Sequence, residues 1–216
     1  MSVDSRRWID FLLDSLPGIE DILWDRLAEG EKKFLIMLFY TIYQKSPELC
    51  GFKSYIEGIA KLKDNPLLFN ELIEILKICK ERIDFIDEGV QLGFDNVLDL
   101  HCTYTRDQIL VALDFMKPGT VREGAKYLPD KGLDAFFITL NKSDKDYSPT
   151  TMYNDYSESE YLFHWQSQST ISDSSNTGHR YINHRKLGSK ILLFVREFKK
   201  DIAGAMPYTF LVLPII

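Results

Sequence analysis

The hydrophobic positions in the first part of the chain recur with the spacing of helices. Segment 31–46 places its apolar residues near one side of a helix, and Pro47 would end it. These residues are Phe34, Met37, Leu38 and Ile42. A later helix is predicted to begin at Pro66, because proline suits a first turn, and its apolar stripe is expected to be buried. The stripe consists of Leu68, Leu72, Ile73, Leu76, Ile83 and Ile86.

The pattern changes beyond residue 95. Thr105 and Gln108 have the spacing of a capping box, which predicts one further helix. After it, the period of two that indicates strands predicts Ala125–Leu128, Asp134–Leu140, Phe163–Gln168, Lys190–Phe198 and Tyr208–Leu213. Short strands with long polar connections favour a small barrel or a strongly curved sheet. We therefore predict an α+β protein, with a helical bundle at 1–95 and a β domain at 96–216.

The composition is that of an ordinary globular protein and excludes several classes. Of the 216 residues, 45% are hydrophobic and 27% are charged, and no apolar run is long enough to span a membrane. The N-terminus lacks the pattern of a secretory signal. Cys50, Cys79 and Cys102 are widely spaced, so neither a disulfide framework nor a zinc site is predicted. We expect a cytoplasmic protein without a cofactor.

The charge is distributed unevenly along the chain. Residues 1–95 carry the whole net charge of −6, and the part after residue 175 is locally basic. The overall charge argues against indiscriminate coating of DNA, but it is compatible with a focused basic groove. The candidate phosphate-binding residues are Arg180, Arg185, Lys186 and Lys190. The alternative is that these cations form a solvated face.

Aromatic residues stand among hydrogen-bonding residues throughout the region 139–186. A packed core does not need this mixture, whereas a site that stacks a flat polar ligand does. A flipped base needs aromatic walls and polar groups for its Watson–Crick edge. The candidate walls are Tyr147, Tyr153 and Trp165, and the candidate edge-reading residues are Asp146, Asn154, Gln166 and Gln168. The alternative is that Phe163 and Trp165, two apart on a strand, point into the core.

Motifs of the common enzyme classes are missing from the sequence. It contains no G-x-x-x-x-G-K-[ST], no G-x-S-x-G and no H-E-x-x-H, so we do not predict an enzyme. His179 and His184 have a spacing that suits no standard metal pair, and no metal site is predicted. His164, beside Trp165, is a candidate contact to a bound base and a candidate general base. The alternative for His164 is a hydrogen-bonded side chain on a strand.

Four blocks of sequence carry a specific resemblance to a known family. They read HCTYTRDQILVAL, YLPDKGLDAFFITLNKSDKDYSPTTMYNDY, LFHWQSQSTISDSSNTGHRYINH and ILLFVREFKK. Over residues 101–210 they resemble a bacterial C-terminal domain of unknown function that usually follows a phospholipase-D-like nuclease and a superfamily II helicase. Such proteins include modification-dependent restriction enzymes of the SauUSI type. The helical first part resembles the segment that joins the helicase to this domain.

The resemblance implies a function in DNA recognition. In that family the domain is assigned to modified cytosine and is similar to SRA-type base-flipping barrels. It implies an SRA-like curved β-barrel here, with modified double-stranded DNA as the partner and 5-methylcytosine as the expected modification. The chain lacks nuclease and helicase motifs, so those activities would belong to separate partners. Its end, PYTFLVLPII, departs from the family's PYTFLG, which implies a missing last strand.

Two other functions stay open at this point. The chain is alternatively an interaction or remnant domain that docks on a separate helicase or nuclease without reading DNA. A hydrolase that uses His164 as a general base is the third hypothesis.

Overall fold

A computed structural model describes residues 3–142, 155–157, 163–167, 171–202 and 204–212. The chain divides into two compact units, Met1–Arg122 and Glu123–Ile216. Helices dominate the first unit and strands the second, so the predicted α+β class is confirmed. None of the described helices is long and apolar enough to cross a membrane.

The first unit is built from helices and very short strands. The helices are α1 Arg6–Ser15, α2 Glu29–Tyr43, α3 Tyr55–Ala60, α4 Pro66–Glu81 and α5 Arg106–Ala112. The strands are β1 Glu88–Gly89, β2 Asp99–Leu100 and β3 Thr103–Tyr104. Strands β1 and β2 form an antiparallel pair. Short 3-10 segments cover Leu16–Asp21, Trp24–Arg26, Glu48–Cys50, Lys61–Asp64 and Pro118–Thr120.

Helix α2 forms the centre of the first unit. Its residues from Lys33 to Tyr40 are all buried, which requires neighbours on every side. One neighbour is α1, whose buried Trp8 donates its indole N–H to the carbonyl of Phe34 at 3.1 Å. Another is α5, which packs on α2.

Helix α5 begins with the predicted capping box. The Gln108 N–H donates to the Thr105 hydroxyl at 3.2 Å, and the Gln108 carbonyl oxygen accepts the Thr105 N–H at 2.8 Å. The Gln108 amide also donates to Thr41 of α2 at 2.7 Å. These bonds place α5 in the first unit, so the structural boundary follows Arg122 instead of residue 95.

Helix α4 begins at Pro66 as predicted, but its expected burial is largely wrong. Asn65 caps it by accepting the N–H of Leu68 at 3.2 Å. Leu76 is the buried residue of this helix, whereas Leu68 is 53% exposed, and beyond the helix Ile86 is 83% exposed. The physical reason is that α1 covers one side of α4, and the apolar pattern extends beyond that side.

The second unit contains strands and one helix. Its elements are β4 Ala125–Leu128, β5 Leu133–Thr139, β6 Tyr156–Ser157, β7 Phe163–His164, α6 Asn176–Ile182, β8 Lys190–Arg196, β9 Lys200–Asp201, β10 Gly204–Ala205 and β11 Tyr208–Val212. Four of these strands pair in the order β11-β8-β5-β4. Strands β5 and β8 run parallel, whereas the β4–β5 and β8–β11 pairs are antiparallel.

The described strands form an open mixed sheet, so the expected closed barrel is not found in this part of the chain. Strands β4 and β11 occupy separate positions in the strand order and are not paired with each other. Every residue of β5 is buried, which explains its apolar composition. The sequence predicted a strand over Phe163–Gln168, whereas β7 ends at His164. Helix α6 was not predicted.

Candidate nucleic-acid interface

Three aromatic rings, which we call the aromatic cluster, meet on one face of the second unit's sheet. They are Phe136 of β5, Trp165 after β7 and Tyr181 of α6. The Trp165 ring stacks on Phe136 with centroids 4.1 Å apart and planes at 22°. Tyr181 meets both rings edge-on, at 5.1 Å from Phe136 and 5.3 Å from Trp165.

Trp165 packs on the core of the second unit and is also partly exposed to solvent. Phe136 is buried and belongs to the apolar core with Ile138, Leu193 and Val195, so one face of the indole packs on that core. Trp165 itself is only partly buried. It therefore presents a rigidly supported aromatic surface, as stacking of a ligand requires.

Asp155 holds the segment that carries Trp165. Its carboxylate accepts the Lys142 ammonium at 2.6 Å and the backbone N–H of Gln166 at 3.0 Å. Only 4% of the Asp155 side chain and 9% of the Lys142 side chain are exposed. The Gln166 N–H bonds a carboxylate here instead of a neighbouring strand, which is consistent with the early end of β7. The Gln166 side chain is exposed.

His164 lies on the exposed two-strand ribbon of β6 and β7. It is opposite Tyr156 in the register, and the two rings stack at 4.8 Å with planes at 27°. Both side chains are exposed. Within the described segments no carboxylate is hydrogen-bonded to His164, so the orienting partner of a catalytic base is not found there.

Arg180 of α6 is bound to Asp134 of β5. Its guanidinium donates to both carboxylate oxygens, at 2.7 and 2.9 Å, and the Asp134 side chain is 1% exposed. The guanidinium also lies 3.7 Å from the centre of the Tyr127 ring. The hydrogen bond to Asp134 raises the pKa of Arg180, and burial raises the pKa of Tyr181 beside it. The structure thus engages Arg180 in an internal ion pair, separate from the other three candidate phosphate ligands.

Those three cations, which we call the basic turn, are Arg185, Lys186 and Lys190. All are exposed, and none is in an ion pair with another described residue. The Lys190 N–H donates to the Gly132 carbonyl at 2.8 Å, and the Ser189 hydroxyl donates to the same oxygen at 3.1 Å. The turn is therefore fixed at the beginning of β5. Lys190 is opposite Leu133, about 10 Å along the strand from Phe136.

Five candidate residues lie outside the described part of the chain. They are Asp146, Tyr147, Tyr153, Asn154 and Gln168. Sequence reasoning also missed the supporting residues Asp134, Phe136, Lys142 and Asp155. A signal existed for Asp134, because a lone carboxylate in an otherwise apolar strand needs a cationic partner. Asp155 gave no such signal in its polar, acidic surroundings.

A cluster of ligand-type atoms in the first unit does not have the properties of a metal centre. Oxygens of Asp87 and Asp99 and the Cys102 sulfur lie within 4.8 Å of one another. Arg6 already binds Asp87, and Asp99 accepts Arg7 and Ser5, both at 2.7 Å. Burial raises the pKa of the Cys102 thiol, which opposes the thiolate that a metal needs. Both carboxylates thus already bind groups of the protein.

One family model matches the chain. It describes a domain of unknown function (DUF3427) and matches residues 98–212, slightly more than half of the sequence. The match begins close to the predicted boundary at residue 96 and includes both the aromatic cluster and the basic turn. No curated protein matches the chain.

Proposed function

The chain belongs to the DUF3427 family, and from that premise we propose that residues 96–216 recognise a modified base in double-stranded DNA. The observation that carries this proposal is the partly exposed ring of Trp165, which Phe136 supports, in the same unit as a turn whose cations form no ion pair with the described residues. Stacking surfaces and phosphate ligands are the two requirements for holding a flipped nucleotide. The sequence resemblance to SauUSI-type enzymes supports 5-methylcytosine as the first ligand to test.

In this proposal the base stacks on the aromatic residues and is read by polar side chains. Phe136 covers one face of Trp165, so the base contacts the part of the indole that remains exposed. Gln166 is exposed beside it and contacts the base edge. The remaining base-binding residues of the proposal are Asp146, Tyr147, Tyr153, His164 and Gln168.

The basic turn binds the phosphates. Each phosphate neutralised by Arg185, Lys186 or Lys190 releases counterions, so affinity should fall with salt. Arg180 is not among the proposed phosphate ligands, because its guanidinium already donates to both oxygens of the Asp134 carboxylate.

We further propose that the chain supplies target recognition to a restriction system and has no catalytic role of its own. Its sequence contains no helicase or nuclease motif, so a superfamily II helicase and a phospholipase-D-like nuclease would act as separate partners. The protein would work in the cytoplasm, where these partners meet DNA.

The direct test is fluorescence anisotropy with matched duplexes that do and do not contain 5-methylcytosine, over a salt series. We expect tighter binding of the modified duplex and a steep loss of affinity with salt. Equal affinity for the two duplexes would contradict base recognition. No binding by the folded chain would contradict the whole proposal and favour an interaction module that docks on a helicase or nuclease.

Two variants separate base stacking from phosphate binding. Trp165→Ala should cost about 1–3 kcal/mol with the modified duplex. Phe198→Ala, which removes another partly exposed ring, is its control and should bind normally. Arg185→Ala should weaken binding to both duplexes equally and reduce the salt slope. Unchanged binding by folded Trp165→Ala would remove Trp165 from the site, and a loss confined to methylated DNA would remove Arg185 from the phosphate set.

A further inference from the structure

Helix α4 carries an exposed stripe of apolar and charged residues on the side that faces away from α1. Its residues recur at intervals of three and four, so they share one face of the helix. This outer stripe consists of Leu67, Glu71, Ile75, Ile78 and Arg82. Leu67 is 80% exposed, Ile75 39% and Ile78 44%. The opposite side of α4 holds the buried Leu76 and packs on α1.

The two charges of the outer stripe have no partners in the described part of the chain. Glu74 and Lys77 pair with each other at 2.8 Å, and Lys80 pairs with Asp10 of α1 at 2.6 Å. Glu71 and Arg82 are exposed and form no such pair. Among the described residues, an acid and a base without ion-pair partners thus flank Ile75 and Ile78.

The order of these residues is self-complementary. Ile75 and Ile78 lie equally far from the point between Leu76 and Lys77, and so do Glu71 and Arg82. When two such helices run antiparallel about a two-fold axis at that point, Ile75 meets Ile78 and Glu71 meets Arg82, each twice. Glu71 and Arg82 are about 16 Å apart along the helix, so both ion pairs flank the apolar contact.

We propose that the outer stripe of α4 binds the same stripe of a second copy of this chain. The occupant is a second copy because the charge pattern complements itself and needs no other partner. This inference does not depend on DNA recognition. One helix pair is smaller than a standard interface of about 800 Å² per partner, so the dimer should be weak, with a Kd of about 10–100 µM.

Charge reversal tests both the surface and its register. Glu71→Arg places two arginines opposite each other, and Arg82→Glu places two glutamates opposite each other, so each variant alone should dimerise about tenfold more weakly. A mixture of the two variants restores both pairs in a heterodimer. Sedimentation velocity over a concentration series is the measurement, with circular dichroism to confirm that each variant is folded.

Ile75→Glu, near the symmetry axis, should abolish the dimer, and Leu49→Glu, at an apolar residue 75% exposed outside α4, should leave it unchanged. The expected result is a wild-type dimer that either charge reversal weakens and their mixture restores. A wild-type chain that stays monomeric up to about 200 µM, or a mixture that does not recover, would overturn the proposal.

Discussion

Asp134 and Arg180 join strand β5 to helix α6 through two hydrogen bonds of 2.7 and 2.9 Å. The carboxylate is almost fully excluded from solvent, and the guanidinium lies against the Tyr127 ring. Because Tyr181 follows Arg180 in the same helix, this pair also orients one ring of the aromatic cluster. Arg180, which the sequence placed among the candidate phosphate-binding residues, therefore has a structural role.

Removal of Arg180 should destabilise the protein far more than removal of a neighbouring cation. Arg180→Ala leaves the Asp134 carboxylate buried without its partner, which should cost about 3–5 kcal/mol of unfolding free energy. Arg185→Ala removes an exposed cation and should change stability by less than about 0.5 kcal/mol. Urea unfolding followed by circular dichroism measures both. Equal stability of the two variants would show that the ion pair is not important for the fold.

Asp155 should control the order of the segment that carries Trp165. Asp155→Ala removes the acceptor of the Gln166 N–H, so that amide should lose its protection from hydrogen exchange. Loss of the buried bond to Lys142 should also lower the unfolding free energy by about 3 kcal/mol. Asp173→Ala, at an exposed carboxylate, serves as the control and should affect neither quantity. A protected Gln166 amide in Asp155→Ala would contradict the assignment.

Asp87 should make stability depend on pH in the acid range. Burial would raise the pKa of Asp87, but hydrogen bonds from the Arg6 backbone and side chain lower it below its ordinary value of 3.8. A carboxyl with a lowered folded-state pKa stabilises the fold above the unfolded value, and this contribution is lost as the pH falls through the folded value. Asp87→Asn should therefore cost about 1 kcal/mol at neutral pH, because Arg6 is partly exposed.

The stabilities of wild type and Asp87→Asn should converge at low pH. The difference in unfolding free energy between wild type and Asp87→Asn should shrink toward zero as the pH falls below 3.8. Asp130→Asn, at an exposed carboxylate, should show no such change. A difference that stays constant across the series would mean that the Arg6 interaction does not depend on the charge of Asp87.

The three cysteines should differ in their reactivity toward thiol reagents. Cys102 is buried, its pKa is raised by that burial, and its thiol approaches the Asp4 carbonyl at 3.5 Å. Cys50 and Cys79 are partly exposed. Alkylation of the native protein at mildly alkaline pH should modify Cys50 and Cys79 first, and Cys102 only on unfolding, as peptide mass spectrometry would show. Early modification of Cys102 would mean that its surroundings open readily.

Local signals in the sequence predicted the elements whose geometry is set by neighbouring residues. Pro66 and the Thr105–Gln108 capping box marked the beginnings of their helices, because both act within a single turn. Helix α6 was missed because its composition is polar and it is only seven residues long. Its signal was Ser175, whose hydroxyl accepts the Gly178 N–H at 3.0 Å, where a larger residue would overlap the Ser172 carbonyl.

Burial and long-range pairing were harder to predict than element type. The apolar pattern of α4 did not show that only one side has a neighbour, because this depends on where α1 packs. The candidate site illustrates the same limit. Spacing placed Arg180 with the other cations of its segment, whereas its partner Asp134 lies on a strand much earlier in the sequence.

The parallel pairing of β5 and β8 has a consequence for how the chain reaches this structure. Each residue of β5 is opposite a residue 57 positions later, as for Thr139 and Arg196. The entropy of closing such a long loop must be lost before the paired strands gain stability, so folding of the second unit should be slow. During synthesis on the ribosome, the apolar β5 lacks its parallel partner until β8 emerges. In that interval the edge of β5 that later pairs with β8 is exposed to aggregation, and a chaperone would act there.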